Sequence, residues 1–419
     1  MLALLFTASF VAYILRTNMS VAGEEVMQDL ALSPVQFGAV LAAFAWGYAA
    51  FQFPAGIVGD RVGARRTLAV VAVAWGVLNC LVGLVPGPPI ASPMLALAAL
   101  ILLRALMGVA QAPLYPVTGG AMTCEWFPVT GWAFPNGLTN AGLTLGSAAT
   151  GPLIAWLMTR AGWRGSFLIT APLALLLALV WWIYTRDTPA EHPAVRQEEL
   201  ALIATGRSTA AAGRAPDGAW KAVIRDPQVL LLAASYFCSN YVFYFFFNWL
   251  FIYLVENRGL RALEGGLYAA VPWIAGAAGA LAGGIASDRL SKAYGMRWGC
   301  RLPSMLGLGM AGIAILAAAR AAGPVLAVIL LAVCLGFQQM TEGAFWAATI
   351  AVSGRNASSA CGVLNTGGNV VGGVGALLIP LTVHQLGWGA ALASGSLFAF
   401  VGMLLWCWIR ADRSLGPGG

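Results

Sequence analysis

Three charged side chains interrupt otherwise apolar stretches of this sequence: Arg16 in YILRTNMSVA, Arg104 in ILLRALMGVA and Glu342 in MTEGAFWA. An arginine in hydrocarbon costs about 3 kcal/mol on insertion scales, so it is seldom there without a task. A guanidinium is a planar fork of N–H donors that matches a carboxylate, and two of them can grip an organic acid through several charge-assisted bonds. Arg104 also opens a stripe with Gly108, Gln111 and Tyr115, whose steps of 4, 3 and 4 share one helical face. The competing use for either arginine is to brace backbone carbonyls inside the protein.

Uncharged polar residues form further stripes. Asn240, Tyr244 and Asn248 follow at intervals of four with Tyr241 beside them, Asn365 and Asn369 lie one turn apart, and Tyr48 and Gln52 make another i, i+4 pair. An amide in lipid needs a partner. A polyhydroxylated substrate would supply one, and so would a neighbouring helix.

These residues must be carried by membrane spans. Of 419 residues, 60% are hydrophobic and 9% charged, with mean hydropathy +0.80, far from the quarter or so charged in soluble domains. Apolar runs long enough to cross a bilayer fall near 1–22, 35–58, 67–86, 94–117, 136–158 and 166–185, then near 228–254, 263–286, 302–321, 324–347, 360–383 and 389–409. The predicted fold is an all-α membrane protein with 12 transmembrane helices in two six-helix pseudo-symmetric halves. Residues 1–185 form the first half, 186–227 a cytoplasmic linker, 228–409 the second half and 410–419 a cytoplasmic tail. Sixteen of the 23 Lys and Arg fall on one side of this path and five on the other, the remaining two being Arg16 and Arg104. The excess places both termini in the cytoplasm and accounts for the net charge of +7 without a nucleic-acid partner. The first span lacks a basic leader and a small-residue cleavage site, so it reads as a retained helix rather than a signal peptide.

Enzyme chemistry is not indicated. GLGMAG (307–312) spells GxGxxG but sits inside an apolar run with no strand before it. The seven cysteines and two histidines have no metal-ligand or disulfide spacing, so no cofactor and no metal are implied.

A repeat carries more weight. GIVGDRVGARR (Gly56 to Arg66) follows span 2, and GIASDR (Gly284 to Arg289) follows span 8. Gly56 and Gly284 permit close helix approach, while Asp60, Arg61 and Arg65 in one half, with Asp288 and Arg289 in the other, could latch helices until the protein changes state. This pattern resembles the major facilitator superfamily. RTNMSVA in span 1, DTPAEHP (187–193), YLVENRG (253–259), EGAFWA (342–347) and GVLNTGGNVVGG (362–373) resemble one branch of it, the anion:cation symporter family, over nearly the whole chain.

That resemblance implies secondary transport of a small organic anion, a sugar acid or other carboxylate, by alternating access. It implies an integral protein of a bacterial cytoplasmic (inner) membrane, a monomer surrounded by lipid. Candidate substrate-binding residues are Arg16, Tyr48, Arg104, Gln111, Asn240, Tyr241, Tyr244, Asn365 and Asn369, the family placing a substrate-contacting tyrosine where Tyr48 stands. Proton-coupled relatives carry an Asp before the span 1 arginine and a Glu seven residues after the span 4 arginine, where this chain has Leu15 and Gln111. Glu342 is then the proton-coupling candidate, and it could pair with an arginine when the site is empty. Two arginines and one glutamate leave about one positive charge, which suits a monovalent anion. Proton-linked uptake is the first reading. Uncoupled export or exchange of an organic anion, and drug or neutral-solute efflux, are the alternatives.

Overall fold

With no water in the bilayer core to satisfy peptide groups, a spanning segment must close its hydrogen bonds internally, and this chain does so entirely with helices. The computed structural model describes residues 1–205 and 220–413; the middle of the linker and the last six residues lie outside the described residues. Among the described residues no strand occurs, and nine stretches are long and apolar enough to cross a membrane. Several of these hold two helices run together. Positive-φ glycines Gly162, Gly295, Gly354 and Gly387 fall between spans 5 and 6, 8 and 9, 10 and 11, and 11 and 12 of the sequence reading, which accommodates the expected path. Each of them takes a backbone conformation that a side chain would resist.

Helix starts follow local chemistry. Ser33 precedes Pro34 and makes a capping box with Gln36, Ser92 precedes Pro93, and the Asp226 carboxylate accepts from Gln228 and Val229 ahead of the helix Pro227–Asn248. Two spans outrun the expected limits. Span 4 continues from Pro93–Gln111 through a widened turn, Pro116–Met122, to Trp126. Span 10 is interrupted at Thr341, whose backbone stays helical, and runs on as Glu342–Ser353.

Large apolar side chains face outward, among them Val70, Leu102, Leu176, Leu267 and Ile274, as a lipid-exposed surface requires. The two halves meet along two related seams, span 2 against span 11 and span 5 against span 8. A Cβ on Gly56 would collide with the Ser358 carbonyl, and one on Gly284 would stand 2.8 Å from Phe134 Cα. Both glycines of the repeat therefore lie where opposite halves touch.

Candidate functional site

A small, largely closed cavity lies between the halves, lined by side chains of both. Six amide side chains face it (Asn136, Asn140, Asn240, Gln339, Asn365, Asn369), with five tyrosines, Trp346 and Glu342. Several amides already bridge the halves: Asn365 donates to Gln52 at 2.8 Å and Asn140 to Gln339 at 2.6 Å. Tyr244 donates to Asn369 at 2.8 Å, and Asn369 donates to the Asn365 carbonyl at 2.7 Å. Gln339 Nε2 in the lining, and Gln52 Nε2 behind it, are buried donors without a protein partner.

Arg16 does not line the cavity, but it packs against two residues that do, Tyr13 and Tyr48. Its guanidinium carbon stands 4.7 Å from the Tyr48 ring centre, 5.0 Å from Phe44, 5.2 Å from Tyr13 and 5.7 Å from Phe247. It donates to the Tyr13 hydroxyl at 3.3 Å and meets no carboxylate among the described residues. Arg104 lies on Phe44 too, 4.7 Å from its centre. One ring thus lies within 5.0 Å of two cations.

Four expectations need correction. Arg104 donates to the Arg16 carbonyl at 3.2 Å and Gln111 to the Ala12 carbonyl at 3.0 Å, and neither lines the cavity. Tyr115, further along the same stripe, shares a 2.6 Å hydrogen bond with Ser9. These bonds tie the polar stripe of span 4 to span 1, and of the three side chains Tyr115 also lines the cavity. Tyr241 turns away as well: it bonds Ser394 at 3.0 Å and stacks on Phe398 at 4.1 Å, and the third member of that stripe, Asn248, is exposed. Tyr241→Phe is accordingly expected to leave substrate affinity within about twofold, as read by ligand-induced thermal stabilisation.

Third, Glu342 pairs with no arginine. Its carboxylate accepts from Tyr236 at 2.9 Å and, at 3.4 Å, from both Trp346 and Gln338. Fourth, Arg65 latches nothing across the halves, since it donates to the Trp182 carbonyl of its own half and its backbone N–H to Asp187 at the start of the linker; Arg289 is exposed. The aspartates of the repeat make the cross-half contacts. Asp60 accepts from the Ser358 and Ser359 N–H groups at 2.9 and 2.8 Å, and Asp288 from Ala133 and Phe134 at 2.9 and 3.0 Å. Each carboxylate caps the first turn of a helix in the opposite half, so the end bearing the basic loops is shut.

Tyr48, Asn240, Tyr244, Asn365 and Asn369 line the cavity as the sequence suggested, with Glu342 among them. Sequence reasoning missed Tyr13, Asn136, Asn140, Tyr236, Gln339 and Trp346. Asn136 and Asn140 were findable, being one turn apart at the head of span 5.

The sequence profile of the Major Facilitator Superfamily matches residues 5–337 of this chain. The chain belongs to that superfamily. It is 32% identical over 90% of its length to a probable sulfoacetate transporter of Cupriavidus necator, covering 85% of that protein. It is 30% identical over 97% of its length to a hexuronate transporter of Bacillus subtilis, covering 93% of it. Among solved structures, the xylose:proton symporter superimposes with a TM-score of 0.76 at 12% identity, over 98% of this chain and 95% of that one. The E. coli fucose:proton symporter does so with 0.72 at 15% identity, over 98% of each chain. The fold is the major facilitator fold, and the protein is a transporter rather than an enzyme.

Proposed function

We propose that this carrier moves a small organic anion, a sugar acid or a related carboxylate or sulfonate, through the cavity between its halves. The observation that carries the reading is the pair of guanidinium groups on Phe44, neither in an ion pair among the described residues. Arg16 is the cation that meets the ligand, and Arg104 holds the Arg16 backbone while adding its field. The amides and phenols of the lining suit hydroxyl groups, and the similarity to a hexuronate transporter and a probable galactarate/D-glucarate transporter points to the same class. Alternating access would rock the halves about this midplane site, with the Asp60 and Asp288 contacts breaking on one side as the other closes. By the distribution of basic residues the shut end is cytoplasmic, with both termini there, the carrier acting as a monomer in an inner membrane.

Thermal stabilisation of the purified protein tests the substrate class, because a ligand stabilises the fold in proportion to its saturation. D-glucuronate, galactarate and sulfoacetate would be set against neutral glucose. Shifts with the acids alone support the reading, and equal shifts with glucose refute it.

Accumulating a monoanion against an inside-negative potential costs about 2.3 kcal/mol per 100 mV, so uptake calls for a coupling ion. Leu15 is buried and carries no proton, and Gln111 is an amide bound to span 1. Glu342 is the acid that faces the cavity, and we assign it the proton. In proteoliposomes, an inward proton gradient should stimulate wild-type uptake several-fold, whereas Glu342→Gln should exchange substrate without responding to the gradient. The substitutions at Leu15 and Gln111 equally favour uncoupled exchange, which would be established by wild-type uptake indifferent to the gradient.

A further inference from the structure

We infer that Trp346 is a plug between the halves at the floor of the cavity, and that Glu342 holds it in place. This rests on the reading of Glu342 as the titrating group. The Trp346 ring is 4% exposed and lines the cavity. On one side it lies against span 4 of the first half: a Cβ on Gly119 would stand 2.5 Å from Trp346 Cε3, and the Tyr115 ring is 6.1 Å away, centre to centre. On the other side it meets Tyr236 of span 7 at 6.2 Å. Its indole N–H reaches Glu342 Oε2 at 3.4 Å, the same oxygen that accepts from Tyr236 at 2.9 Å. The second oxygen takes Gln338, which also donates to Ser239 at 2.9 Å.

The packing of the ring on Gly119 is a contact between the halves, whereas the bonds of Glu342 lie within the second half, so the carboxylate acts by fixing the ring in the orientation that makes that contact. An ionised carboxylate fixes it best, since it offers acceptor sites to both donors and charge-assisted bonds are the stronger kind. A neutral carboxyl is a weaker acceptor and puts a hydrogen of its own on one oxygen, so the indole is released. Proton arrival therefore loosens the floor. The other titratable groups facing this cavity are Tyr13, Tyr48, Tyr115, Tyr236 and Tyr244 from spans 1, 2, 4 and 7, with Arg16 behind Tyr13 and Tyr48; spans 5 and 11 present only uncharged side chains to it.

The test needs no substrate. Amide hydrogen exchange of the full chain in detergent, corrected for the intrinsic pH effect, is read at Ala133, Phe134, Ser358 and Ser359, whose N–H groups close the basic end. Asp60 and Asp288 accept from these amides, and burial pushes both carboxyls up, Asp288 to about 6, so they add a pH response of their own and the Glu342 effect is read as the excess over Glu342→Gln. From about pH 8 to about pH 5.5, wild-type exchange there should quicken about tenfold more than in Glu342→Gln, the worth of one hydrogen bond to a charged group. Trp346→Phe, which keeps a ring and loses the N–H, should exchange fast already at about pH 8 and lack the excess, and so should Gly119→Ala, which displaces the ring. If Trp346→Phe keeps the excess, Trp346 is not the link and the role of Glu342 stands. If wild type shows no excess over Glu342→Gln, both assignments fall.

Discussion

Arg16→Ala is expected to abolish measurable transport and weaken anion binding about 100-fold. A carboxylate gripped by this guanidinium makes two charge-assisted bonds, and losing them forfeits roughly 3 kcal/mol or more. The cost exceeds that of an ordinary contact because the site was built around the cation. The rings of Tyr13, Phe44, Tyr48 and Phe247 surround it, and no protein carboxylate neutralises it among the described residues. Arg104 does not replace it, being buried behind Arg16 with one N–H on the Arg16 carbonyl. Arg16→Lys retains the charge but gives up the flat fork that stacks on rings and bonds in pairs, so it should fall between, about tenfold weaker than wild type. Titration by thermal stabilisation with D-glucuronate or sulfoacetate separates the three. Wild-type shifts in Arg16→Ala would make the arginine a structural brace and remove the main support for an anionic substrate.

What the sequence made legible depended on whether a residue's chemistry or its neighbour was in question. Arg16 and Glu342 stood out because charge in an apolar run has few explanations; Glu342 lines the cavity and Arg16 packs on two of its tyrosines. The repeated glycine and aspartate were legible because the same spacing ended span 2 and span 8. Arg104, Gln111 and Tyr241 were misplaced for one reason. Periodicity fixes which residues share a helix face, but it does not say whether that face meets open space or another helix. Here span 1 lies across the polar face of span 4, and span 12 lies beside Tyr241. Trp346 was invisible for the opposite reason. An aromatic residue in an apolar span looks like lipid-facing bulk until the Gly119 backbone is found beneath it. The spans themselves were legible from length and hydropathy, while their ends were not. Span 4 carries its helix ten residues beyond Pro116 through a widened turn, and no local signal announces that.

Asp60→Asn with Asp288→Asn should open the basic end and reduce transport to near background, each single change costing about tenfold. The first N–H groups of a helix have no partner inside it, and the dipole there attracts negative charge. Each aspartate answers both demands, and does so for a helix of the opposite half, so its bonds exist only while the end is shut. Asparagine presents one acceptor oxygen and turns an NH₂ group toward N–H donors, exchanging an attraction for a repulsion. With hydrogen bonds to a charged group worth roughly 1.5–3 kcal/mol, losing one such capped seam shifts a two-state equilibrium by a factor of ten or more. Because two related seams close the same end, the remaining one preserves part of the function in either single variant, and the pair together preserves little. Cys361 provides the readout. It is fully buried on span 11, one turn beyond Ser358, so maleimide should reach it slowly in the wild type and faster in Asp60→Asn. Peptide-resolved mass spectrometry distinguishes it from exposed Cys407. A monodisperse double variant that still transports, with Cys361 still protected, would reduce the aspartates to ordinary helix caps and leave the closing of this end to the glycine contacts alone.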